Sequence, residues 1–126
     1  MKIVVAATRH PHALSRREVE RVFAALPSEF ARAIDEFVLA TFDRWPTAFA
    51  YVQLAGKRRV EFSMVVKDKT AETTEIAVRE LLLGLSRMQG GSKFDRPMSE
   101  QERREHAPFV EQWLPVARAA VAAQVV

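Results

Sequence analysis

Between Ala71 and Met88 the chain places Ile76, Val78, Leu81, Leu82, Leu83, Leu85 and Met88 around most of a helix's circumference. A helix apolar on nearly all sides is stable in water only when it is packed on several of them, so the rest of the chain has to wrap this one. Thr70 or Thr73 is placed to cap its start, Glu72 and Glu75 lie near the positive end of its dipole, and Gly90-Gly91 follow its end. With 126 residues the chain has material for one domain, and 48% hydrophobic with 28% charged residues is the composition of a packed globular protein.

The wrapping elements show two different apolar periods. Ile3 to Ala7 is a short β-branched run bounded by Thr8-Arg9-His10-Pro11 and reads as a strand covered on both faces. Ser15 with Glu18 forms a capping box that opens a helix with Val19, Val22, Phe23 and Leu26 on one face. After Pro27, Ser28 is a second possible cap, and Phe30, Ile34, Phe37, Val38 and Thr41 mark a further stripe whose end, Phe37 to Phe42, reads as helix or as extended chain. Segments 48–54 and 59–67 flank Ala55-Gly56-Lys57-Arg58 as a hairpin, with Val60, Phe62, Met64 and Val66 alternating inward. Ser99 with Glu102 opens a C-terminal helical region that Pro108 and Pro115 are expected to break, and the tail 117–126 is expected to fray. The expectation is a single α+β domain over 1–126. Its small mixed or antiparallel sheet, the N-terminal strand plus the hairpin at about 48–67, is covered by three to four helices.

Candidate chemistry is sparse. With no cysteine, disulfides, thiolate metal sites and a cysteine nucleophile are excluded. No Gly-x-Ser-x-Gly elbow surrounds any serine, and Gln89-Gly90-Gly91-Ser92-Lys93 follows a helix instead of preceding one, so it reads as helix termination and not as a phosphate cradle. His10 and His12 are weak metal candidates because a His-x-His pair supplies at most two ligands and no third-ligand pattern follows. Glu102 and His106 share a helical face, as ordinary i,i+4 neighbours do. No cofactor is expected.

The net charge of +3 arises from 19 basic and 16 acidic residues, which points to an intermixed, mildly basic surface. Its densest part is the hairpin, where Tyr51 with Lys57, Arg58, Arg59, Lys67 and Lys69 forms a candidate nucleic-acid surface, since aromatic and basic side chains on a sheet stack bases and hold phosphates. Lysine and arginine equally protect edge strands from pairing. No apolar run approaches the ~18 residues of a membrane span, and Arg9 and His10 cut the N-terminal run short of a signal-peptide core. A soluble, cytoplasmic protein without a membrane partner is expected.

The order of parts also resembles that of small zincin-type metalloproteins. Leu14 to Pro46, centred on Ala25-Leu26-Pro27-Ser28-Glu29-Phe30, is followed by strands and then by Val78-Arg79-Glu80-Leu81-Leu82-Leu83. In that family the helix carries HExxH, two zinc-binding histidines and a glutamate base. Here Gly84, Leu85 and Met88 stand where the motif would fall. The resemblance therefore implies a zinc-free, non-peptidase relative whose helix has become core. Together these readings lead to a non-enzymatic interaction or accessory protein with a protein partner or a second copy of itself. The alternatives are a basic nucleic-acid-binding protein using the hairpin, and an enzyme with a histidine site assembled from His10, His12 and Glu102 or His106.

Overall fold

The computed structural model describes residues 1–41 and 45–123. Strand β1 (Lys2–Val5) leads to helices α1 (Arg16–Ala25) and α2 (Ser28–Arg32), then strands β2 (Glu36–Leu39), β3 (Phe49–Leu54) and β4 (Lys57–Phe62). Helix α3 (Ala71–Arg87) ends in a 3-10 turn at Met88–Gly90, and helix α4 (Glu100–Ala122) follows. The sheet order is β1-β2-β4-β3, with β2 parallel to both β1 and β4, and β3 antiparallel to β4. This is the expected α+β architecture, with a mixed sheet.

Register explains which residues meet the helices. Ile3, Phe37, Val60 and Tyr51 lie side by side across the four strands, as do Leu39, Phe62 and Phe49 in the next row. These seven are buried in one cluster with Val19, Val22 and Phe23 of α1, Leu81, Leu82 and Leu85 of α3, and Val110 and Leu114 of α4. The aromatic rings interlock edge to face: Phe37 lies 5.5 Å from Phe23 and 6.5 Å from Phe49, centroid to centroid. The capping boxes at Ser15 and Ser99 both form, and Thr70 caps α3 with Thr73 as its reciprocal partner.

Several expectations change. The stripe from Phe30 to Thr41 is not one helix: Ser28 is the first helical residue rather than a cap, Pro27 is the N-cap, and α2 stops at Arg32. Phe37-Val38-Leu39 is instead the central strand, a position that favours aromatic and β-branched side chains buried on the pleat. Phe42, at the end of that ambiguous run, and residues 124–126 lie outside the described residues, whereas 117–122, expected to fray, form the last turns of α4 with Ala117 buried. The hairpin is tighter than expected, with Leu54 paired to Lys57 across Ala55 (φ 50°) and Gly56 (φ 77°), since a two-residue turn of this hand needs positive φ at both positions. Strand β4 also ends at Phe62, because beyond it Met64 and Val66 take their backbone bonds from the loop at residues 11–13: Ala13 N–H donates to Met64 and Val66 N–H to Pro11. Finally, Pro108 and Pro115 lie inside one continuous α4. The carbonyls that these prolines leave without an intrahelical donor belong to Arg104 and Glu111, both exposed residues that water can reach. Burial of Val110, Leu114 and Ala117 holds the helix together across both positions.

Candidate functional site

The fold separates the basic residues that the sequence places together. Lys57, Arg58 and Arg59 lie at the amino end of β4, whereas Lys69 pairs with Glu18 at the start of α1, which follows the carboxyl end of β1. With β1 and β4 running the same way through β2, the two groups are apart by about the length of β4, on the order of 15 Å at ~3.3 Å per residue. The hairpin cations are also neutralised: Lys57 lies 3.5 Å from Glu36, Arg59 lies 3.3 Å from Glu36 and 3.9 Å from Glu61, and Arg58 lies 3.0 Å from Asp35. Among the described residues Lys67 has no carboxylate partner. Tyr51 is not offered to solvent. Its ring is in the core cluster, its hydroxyl donates to the Ala33 carbonyl at 2.7 Å, and the Lys93 ammonium stands 4.3 Å from its centroid.

Asp35 and Arg58 form the tightest of these pairs. The Arg58 side chain and backbone N–H both donate to the Asp35 carboxylate, which lowers its pKa from 3.8 to about 2. A carboxyl whose folded pKa lies below its free value adds stability that is complete above the free value and lost as pH falls through the folded one. Urea unfolding of the parent and Asp35→Asn is therefore expected to show a stability gap at about pH 5 that closes between roughly pH 4 and pH 2. A gap independent of pH over that window would show that the pair does not hold the carboxylate charged.

The histidines do not converge. His10 is exposed, and its carbonyl accepts the Thr8 hydroxyl. The His12 ring contacts the Ala6 carbonyl through Nε2 at 2.8 Å; a carbonyl only accepts, so Nε2 carries the proton, and Nδ1 is buried without a partner. His106 packs between α4 and α3, with Nδ1 2.7 Å from the hydroxyl of buried Ser86. Glu102, on the same face of α4, lies 3.3 Å from Arg87. No hydrogen bond or ion pair joins this group to His12, and among the described residues no cluster of three potential ligands forms a metal site. Ser86 lies on α3 and His106 on α4, so their bond ties the two helices together. Gly84, Leu85 and Met88, where a zincin motif would fall, are buried. Trp45, half-buried, donates its indole N–H to Glu61, and Trp113 packs 6.4 Å from Phe109.

A different feature is concave and open. After the 3-10 turn, Gly91 adopts φ 79° and turns the chain back along the sheet. Phe94 then exchanges two 2.8 Å backbone hydrogen bonds with Tyr51 on the outer edge of β3. The Phe94 ring stacks on Phe49 at 6.0 Å, and the Arg87 guanidinium covers it at 4.2 Å. Between this strap, β3 and α3 lies a cleft of about 350 Å³ walled by Phe49, Met64, Ile76, Phe94 and Met98. At its rim the Arg103 guanidinium makes a bidentate pair with Glu80 (2.9 and 3.2 Å). Beyond that pair lies a second depression of about 250 Å³ between α3 and α4, which shares Ile76, Glu80 and Arg103 with the first. Ile76 is 46% exposed. The sequence reading missed this site because its walls come from four separate segments; the signal it did contain was Phe94 and Met98, two apolar residues in an otherwise polar stretch. No protein-family model matches the chain, and comparison with curated proteins and with solved structures finds no match.

Proposed function

We propose that the protein is a non-enzymatic interaction protein that receives a large apolar side chain of a protein partner in the cleft between α3, β3 and the Phe94 strap. The observation that carries this reading is the cleft itself. A volume of about 350 Å³ with apolar walls falls at the small end of the ~300–1,000 Å³ range of binding cavities. Two of its walls are methionines, unbranched side chains that adapt to differently shaped partners. Ile76, a large aliphatic residue left half in water, gains by being covered. The Glu80–Arg103 pair, already satisfied, gives a polar rim and no reactive group.

The test is an NMR titration of the labelled protein with N-acetyl-tryptophanamide and N-acetyl-leucinamide, minimal mimics of an apolar partner side chain. Shifts are expected at Gly84, Phe94 and Met98, with loss of those shifts in Ile76→Glu and Met98→Glu. Shifts elsewhere, or none up to the solubility limit, would refute the reading. Fluorescence anisotropy with labelled DNA and RNA examines the nucleic-acid alternative. Binding that survives Ile76→Glu and weakens steeply with salt would replace the proposal with a basic-surface one.

A further inference from the structure

The two edges of the sheet are treated differently. The outer edge of β3 is occupied by Phe94 through its two hydrogen bonds with Tyr51. Strand β1, at the other end of the sheet order, pairs with β2 alone. Lys2 donates to Asp35 and Ala6 to Leu39, so in the alternation of a parallel ladder the N–H and C=O groups of Ile3 and Val5 point away from the sheet. The usual protections of a free edge are nearly missing: this strand has no proline and no inward charge, and Lys2 is its only charged residue. Met1, just before it, and Val5, its last residue, are 42% and 46% exposed, two of the four large apolar residues exposed among those described.

We infer that β1 is the interface for a second copy of this chain, the two strands pairing antiparallel about a two-fold axis to make one eight-stranded sheet. The geometry favours this occupant. With Val4 opposite itself, Ile3 of each copy faces Val5 of the other, and the outward amides of these residues form the closely spaced hydrogen-bonded pairs of an antiparallel ladder, four bonds in all. The exposed Val5 then lies beside Ile3 of the second copy on the same face of the continued sheet. Lys2 falls opposite Ala6, so the two lysines stand at opposite ends of the paired strands and do not repel across the ladder. The assembly also closes: a two-fold interface uses the β1 edge of both copies, and on the opposite edge Phe94 occupies Tyr51 in the middle of β3.

Sedimentation velocity of the full chain, from roughly micromolar to millimolar concentration, is expected to show a species of twice the 14.3 kDa chain mass. Val5→Pro removes only an outward N–H, which an edge strand tolerates, and the loss of one bond per copy should weaken the dimer by about thirty-fold. Val5→Lys places a charge on the edge and should act in the same direction, and it decides the matter if the proline variant fails to fold. Val116→Lys, which removes an exposed apolar residue from α4, should leave the dimer intact. A wild-type chain that stays monomeric throughout, or a dimer that persists in both folded Val5 variants, overturns the inference. Because none of these substitutions touches the α3–β3 cleft, its outcome is independent of the side-chain titration.

Discussion

Gly84→Ala should lower stability by about 2–3 kcal/mol even though alanine is the better helix former by ~1 kcal/mol. A Cβ at this position would stand 2.1 Å from Cγ of Phe49 and within 2.5 Å of two further ring atoms. Such a contact is relieved only if the ring or the helix moves. The ring has little room: Phe37, Phe62 and Phe94 surround it at centroid distances of 6.0 to 6.5 Å. Helix α3 is therefore laid against β3 with its backbone directly on an aromatic ring, and the overpacking cost exceeds the propensity gain. Thermal unfolding is the measurement, with an expected fall of roughly 8–12 °C for a domain of this size. In a Phe49→Leu background the same alanine should cost clearly less, the non-additivity expected of two residues in contact. A variant as stable as its parent would mean that helix and strand lie further apart than described.

Phe37→Ala should cost more, about 3–5 kcal/mol. The side chain is fully buried at the centre of the sheet and touches Phe23, Phe49 and Phe62, rings from α1 and from both strands of the hairpin. Its removal leaves a cavity that three stiff rings cannot fill. Against a typical total of ~5–15 kcal/mol such a loss is about a fifth or more of what holds the domain folded. Urea midpoints report it directly, and Phe37→Leu, which keeps most of the volume, should cost less than ~1.5 kcal/mol. An alanine variant within ~1 kcal/mol of the parent would show that the aromatic cluster is not the keystone of the core.

Local signals were readable along the chain wherever the deciding contacts were themselves local. Ser15 with Glu18 and Ser99 with Glu102 meet across three residues, and both boxes form. The hairpin and the all-round apolar helix 71–87 were legible for the same reason. Phe37 shows where that stops: the spacing of Phe30, Ile34, Phe37 and Val38 fits a helix, but the slot between β1 and β4 is filled only by a strand, and neither neighbour is near in sequence. Tolerance of the α4 prolines depends on exposure of Arg104 and Glu111, which no local pattern shows. The basic residues do not act as a unit because their counter-charges, Asp35, Glu36 and Glu18, stand 21 to 51 residues from their partners. The cleft was invisible for the complementary reason, being the gap left where four distant segments meet.

The position of β2 also orders the assembly of the domain in time. The β3–β4 hairpin and the α3–α4 pair join segments adjacent in the chain, so they are free to form early, hairpins on the scale of about 1–10 μs. Strand β2 has no such neighbour: Lys2 meets Glu36 across 34 residues and Glu36 meets Arg59 across 23. Its full pairing requires both chain closures, and each spends conformational entropy before its own contacts repay it. Until β2 docks, the inner edges of β1 and β4 both lack their partner, and the topology predicts that this docking is the slowest step of folding.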